Sequence, residues 1–131
     1  MSAGQRQQDA ATTVEQLRAI VRQFVAERDW EQFHSPKNLS MALAIEAAEL
    51  MEHFQWITTE ASRALANDVQ RRDEVAEELS DVVCYAFALA NVMGIDISQS
   101  LTAKMAKNAA KYPADQFRGR FGHDDPGRIS D

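Results

Sequence analysis

Four acidic residues could do chemistry together: Glu46 and Glu49, then Glu78 and Asp81. Each pair has i, i+3 spacing, which on an α-helix sets both carboxylates on one face about one turn apart. Spacing alone carries little weight. Aspartate and glutamate fill 20 of the 131 positions, so chance supplies roughly three such pairs, and four are present, counting Glu49 with Glu52 and Glu74 with Glu77. Placement is what distinguishes the first two. Glu46 and Glu49 share a helical face with Leu39, Ala42, Leu43 and Leu50, and Glu78 and Asp81 share one with Val75, Val82 and Leu89. Unpaired carboxylates are not left in an apolar interior, because desolvating an isolated charge costs far more than one domain can absorb. A cation must therefore sit between the pairs.

The donor set is oxygen only, which hard divalent cations prefer; magnesium in particular keeps waters and accepts phosphate oxygens. Zinc is disfavoured, since no cluster of Cys and His exists. A carboxylate-bridged di-iron site would ask for repeated Glu-x-x-His, and the only such spacing, Glu31 with His34, lies away from both acidic helices. The bland alternative is a pair of solvated acidic faces.

The elements that must position these groups read as helices. Apolar residues make up 45% of the chain while glycine and proline number only 5 and 3, and no segment alternates like a strand, so the expected class is all-α. Residues 1–11 read as a disordered leader, 12–113 as one all-α domain and 114–131 as a mobile tail. Thr12 or Thr13 can cap a first helix, with Glu15 or Gln16 placed for a capping box, ending near Arg28. Ser35 and Pro36 start a second, to about Phe54, which carries the first acidic pair. Thr58 or Thr59 can cap a short segment through Leu65. Asp68 opens a long third helix to Met93, with Gly94 as a left-handed stop, and Asp96 caps a fourth from about Ile97 to Lys111, stopped by Pro113.

The third helix changes character midway. Glu74 to Asp81 is acidic, whereas Val82 to Met93 is apolar almost all round, and one small chain has too few neighbours to cover such a helix. A homo-oligomer built around residues 82–93 is expected.

Charge narrows the partners. A net charge of −6 without a basic block argues against gripping nucleic acid by its phosphates. The polar start offers no signal peptide, no segment reaches membrane-span length, and the lone Cys84 excludes an internal disulfide, so a cytoplasmic setting without membrane contact is expected.

Trp30, His34 and Trp56 flank the second helix at its two ends. Rings of this kind can sandwich a nucleobase, although a tryptophan is more often core. Tyr85, one turn after Asp81, can donate its hydroxyl to a ligand or serve as a core tyrosine. Lys104, Asn108 and Lys111 form a polar stripe that can meet phosphates, with a solvated face as the alternative, favoured for Lys111. His53, one turn beyond Glu49, reads as a supporting or packing residue.

Together these segments resemble a known family. Phe24-Val-Ala-Glu-Arg-Asp-Trp-Glu-Gln-Phe-His34, Pro36-Lys-Asn-Leu39, Glu46-x-x-Glu49-Leu50 with Phe54-Gln-Trp56, Glu77-Glu-Leu-Ser-Asp81 with Tyr85, and Lys104-Met-x-x-Asn108 with Lys111-Tyr-Pro113 are similar to the dCTP pyrophosphatases, which are MazG-like all-α nucleoside triphosphate pyrophosphohydrolases. The likeness covers about residues 14–120. It implies a four-helix MazG-like bundle, commonly a tetramer, that converts dCTP or base-modified dCTP to the monophosphate and pyrophosphate and so cleans the nucleotide pool. It also implies Mg2+ held by Glu46, Glu49, Glu78 and Asp81, with Glu49 as the base. Trp30 and Trp56 would enclose the cytosine, with His34, Asn38, Tyr85, Lys104, Asn108 and Tyr112 around base, sugar and phosphates. Arg118 would close over the triphosphate. The rivals are a broader or dUTP-preferring nucleotide pyrophosphatase, and a non-catalytic helical interaction module.

Overall fold

The structure, a computed structural model, describes residues 7–121. Those residues are all-α: α1 Val14–Glu27, α2 Pro36–Glu52, α3 Thr59–Ala64, α4 Val69–Met93, α5 Ile97–Lys111 and α6 Ala114–Phe117, with short 3-10 turns at Asp9–Ala11, Glu31–Phe33 and Leu65–Asn67. Helical order thus reaches into both stretches expected as leader and tail, at Asp9–Ala11 and at Ala114–Phe117, while residues 1–6 and 122–131 of those stretches lie outside the described residues. Two compact units divide the chain, one ending at Ile95 and one beginning at Asp96.

Local chemistry sets the boundaries. At the start of α1 the Thr13 hydroxyl accepts from the Gln16 amide at 3.1 Å and the Gln16 side-chain oxygen accepts from the Thr13 amide at 2.8 Å. This reciprocal box satisfies two amides that have no partner within the helix. Ser35 caps α2 through the Asn38 amide at 3.1 Å, with Pro36 in the first turn. Asp68 caps α4 through Arg71 at 3.1 Å, and Asp96 caps α5 through Gln99 at 2.8 Å. Gly94, at φ 63°, ends α4 in the left-handed conformation that a side chain would disfavour.

α1 ends without a glycine. Asp29 takes the left-handed position instead, at φ 53°. Its amide then donates to Ala26 O at 3.1 Å and the Trp30 amide to Val25 O at 3.1 Å. That pair of bonds is a Schellman termination, and its usual apolar contact is the Phe24 ring against Trp30.

In the first unit α2 lies along α4 and α1 packs on α4. Leu39, Val25, Ala88 and Ala90 are buried, Leu39 with only 2% of its surface exposed. Arg18 is buried with them, at 9% exposure. Its Nε donates to Asn91 Oδ1 at 3.0 Å and its carbonyl accepts from Asn91 Nδ2 at 3.3 Å. The guanidinium lies beside the last turn of α4, where unsatisfied carbonyls carry partial negative charge that favours a cation.

Candidate metal and nucleotide site

The α2–α4 seam brings two runs of acid together. Carboxylate oxygens of Glu46 and Glu49, from α2, and of Glu78, from α4, all lie within 4.8 Å of one another. Asp81 stands outside that converging trio, yet its charge acts on both Glu46 and Glu78. Around them Leu39, Ala42, Leu43 and Leu50 on α2 and Val75, Val82 and Leu89 on α4 are buried or half-buried, so the cluster is set in an apolar seam.

Two atoms expose the demand. Glu46 Oε2 and Glu78 Oε2 are both buried and have no hydrogen-bond partner. A buried carboxylate oxygen without a donor keeps its full desolvation cost, so the group either retains its proton or takes a cation. The titration of both follows. Burial, then a shared hydrogen bond with Glu49 and the charges of Glu49, Asp81 and Glu78, pushes the Glu46 carboxyl above the usual range. Burial and then the Glu49 and Asp81 charges raise Glu78, against a downward pull from His53. His53 is the residue that ends α2.

The donor set fits a hard divalent cation. Every ligand is a carboxylate oxygen, two of those oxygens lack any other partner, and no sulfur or imidazole belongs to the trio. The arrangement thus supports a divalent metal site.

Tyr85 links this cluster to an aromatic cavity. Burial, followed by the charges of Glu46, Cys84 and Asp81, raises its phenol, so the hydroxyl keeps its proton and can donate. The same residue lines a small cavity of about 50 Å3 with Phe24, Trp30, His34 and Cys84. A larger cavity of about 240 Å3 shares Val21, Val25, His34 and Ala88 with it and reaches Glu31 and Asn91. The first unit therefore assembles Trp30, His34 and Tyr85. Trp56 is not among the residues lining either cavity; it stands in the turn after α2 with 87% of its surface exposed. Asn38 is exposed, and its side-chain amide donates to Phe33 O at 3.1 Å, tying the Glu31–Phe33 turn to the start of α2.

The second unit carries the remaining candidates. Lys104 and Asn108 are one turn apart on α5, with Asn108 half-buried and its amide 3.8 Å from Met105 Sδ. Tyr112 meets Phe117 edge-on at 5.2 Å, with Lys111 Nζ at 5.3 Å from its ring centre, and Arg118 follows α6.

Sequence reasoning missed the parts of the first unit that work through partners. Phe24 enters the sequence reading only as the first residue of a motif segment, although its ring meets Trp30 edge-on. Arg18 gave no signal, because a lone arginine near an apolar stripe looks like a surface residue.

The MazG-like family model matches residues 41–120, which include the whole acidic seam. The chain belongs to the MazG-like family. Bovine dCTP pyrophosphatase 1, from Bos taurus, is 43% identical over 107 residues, covering 82% of this chain and 63% of that protein. Human dCTP pyrophosphatase 1 is 43% identical over 102 residues, 78% of this chain and 60% of its own. The chain thus spans somewhat less than two thirds of the length of these relatives. Among solved structures, a pyrophosphatase from Archaeoglobus fulgidus DSM 4304 superposes with a TM-score of 0.69 at 39% identity, covering 76% of this chain and 91% of its own. Membership in the MazG-like family agrees with the all-α class and with a helical pair carrying the acids. No single described helix is long and apolar enough to cross a membrane.

Proposed function

We propose that this chain is a nucleoside triphosphate pyrophosphohydrolase that converts dCTP or base-modified dCTP to the monophosphate and pyrophosphate, removing it from the nucleotide pool. The observation that carries the reading is the carboxylate trio with two unpartnered buried oxygens, joined through Tyr85 to a cavity lined by Trp30 and His34. Its dCTP-related likenesses support the substrate.

Glu46, Glu49, Glu78 and Asp81 would hold the metal, and we assign Mg2+ because a triphosphate must approach an all-oxygen acidic site. When bound, the ion neutralises the triphosphate charge and lowers the pKa of coordinated water. Glu49, the exposed member of the trio, accepts the proton of the attacking water. Water adds at a phosphorus of the α–β bridge, the bridging bond breaks, and pyrophosphate leaves. Trp30 stacks the base, Tyr85 donates its phenol hydrogen and His34 closes the cavity. Asn38 holds the turn that carries these rings. Trp56 supplies the second ring, and Lys104, Asn108, Tyr112 and Arg118 the phosphate and sugar contacts.

The assembly we assign is a homo-oligomer, a tetramer. Within one chain Ile20, Ile45, Leu79, Val83 and Val92 stay exposed while the buried apolar set among the described residues is small. A cytoplasmic setting agrees with the free thiol of Cys84, and a small-molecule partner, with neither nucleic acid nor membrane, agrees with the net charge of −6.

A panel of deoxynucleoside triphosphates scored for pyrophosphate, with Trp30→Ala beside the parent, tests the reading. Preference for cytosine substrates that collapses in Trp30→Ala is expected. Equal turnover of all bases, or a preference for dUTP, would overturn the substrate, and absence of pyrophosphate from every nucleotide would overturn the activity.

A further inference from the structure

Trp30 is oriented by a turn that has a lock of its own. Asp29, at φ 53°, adopts a left-handed backbone conformation that glycine supplies most readily and that an aspartate takes at some steric cost, so a local restraint helps to hold it. Gln32 supplies the restraint: its Nε2 donates to Asp29 O at 3.0 Å and lies 3.2 Å from Asp29 Oδ2. The reversal that follows lets the Trp30 amide reach Val25 O at 3.1 Å and brings the indole edge-on to Phe24, with centroids 5.6 Å apart and planes at 75°. Phe24 is pinned in turn, because the Arg28 guanidinium lies 3.7 Å over its ring and Arg28 Nη1 donates to Phe24 O at 3.0 Å. Asp29 and Gln32 are both exposed, and neither lines the cavity to which Trp30, His34 and Tyr85 contribute.

We propose that Asp29 and Gln32 are positioning residues that fix the Trp30 ring for base binding, acting only through that ring. The proposal rests on the reading of Trp30 as the stacking residue. Without Gln32 the turn relaxes among backbone conformers and the indole samples several orientations. Binding then has to order it, which weakens nucleotide capture but leaves the carboxylate chemistry untouched.

The test reads KM and kcat for dCTP with Mg2+ in protein that keeps Trp56, and separately reads acrylamide quenching and anisotropy of Trp30 emission without nucleotide in a Trp56→Phe background. Gln32→Ala should raise KM about fivefold to tenfold while kcat changes less than about twofold, as expected when only binding is lost. Quenching of Trp30 should rise and its anisotropy fall, which a merely structural role at an exposed site would not produce. Asp29→Asn, which tolerates the left-handed turn and keeps a side-chain oxygen, should behave like the parent. If Gln32→Ala does not fold, Gln32→Met carries the same expectation, since it keeps the chain length and loses the amide. Parent values of KM and quenching in the Gln32 variant, beside a raised KM in Trp30→Ala, would overturn the clamp alone. An unchanged KM in Trp30→Ala would overturn the stacking reading, and this inference with it.

Discussion

Glu46 of α2 and Glu78 of α4 meet across one seam, each with a buried carboxylate oxygen that no donor reaches. Burial and the neighbouring carboxylates hold both carboxyls above the usual carboxylate range, so the folded chain holds these protons longer than the unfolded chain does. Without metal their contribution favours folding at acid pH and is lost as pH rises from the unfolded value through the raised folded ones. The double variant Glu46→Gln, Glu78→Gln should therefore match the metal-free parent in Tm near pH 4 and exceed it near pH 8. Added Mg2+ should raise the parent's Tm at pH 8, do so less at acid pH where protons compete, and leave the double variant unmoved. Thermal melts across pH with and without chelator check this; a parent with the same Tm at pH 8 in chelator and in Mg2+ would contradict it.

Glu49 is the exposed member of the trio and the proposed base. Glu49→Gln should cut pyrophosphate release about 100-fold or more, the usual scale for losing a positioned base together with a metal contact. Size-exclusion chromatography should show the parent's oligomer, since the substitution preserves shape. Unchanged turnover would remove Glu49 from the mechanism.

Stability should divide according to burial. Leu39→Ala empties the most buried side chain and should cost about 3 kcal/mol in denaturant unfolding. Ser35→Ala removes only the cap on the Asn38 amide and should cost about 1 kcal/mol. Reversal of that order would mean the α2 start matters more than the core it feeds.

Cys84 is half-buried, and burial followed by the charges of Asp81 and Glu46 pushes its thiol above the usual cysteine range. Less thiolate is present at any given pH than in a free cysteine, so alkylation near pH 8 should be slow in the folded protein and accelerate on unfolding. Mass spectrometry of iodoacetamide-treated protein with and without urea provides the comparison.

Much of this was legible in the sequence because local rules set it. Thr12 or Thr13, Ser35, Asp68 and Asp96 mark helix starts by side-chain chemistry and Gly94 marks an end by its backbone freedom; the structure caps the starts with Thr13, Ser35, Asp68 and Asp96 and stops α4 at Gly94. The acidic residues were readable because they break apolar stripes whose period is fixed by the helix. The end of α1 near Arg28 was legible too, but not the left-handed turn at Asp29 that closes it, which Gln32 supports through the Asp29 carbonyl. Spacing within either helix gave no sign that Asp81 would fall outside the trio of Glu46, Glu49 and Glu78, which depends on the crossing of α2 and α4. Arg18 and Asn91 pair across 73 residues, beyond the reach of any local pattern.

α4 is therefore a helix of two tempers. Toward its C-terminal end Ala88 and Ala90 are sealed at 3% and 2% exposure and Asn91 is tied to Arg18, whereas about two to three turns earlier Asp81 and Glu78 push against Glu46. Amide exchange should run slowly from about residue 86 onward and faster through the acidic turns, with metal evening out the contrast. A chain built this way would keep its scaffold without a cation and loosen only along the acidic turns.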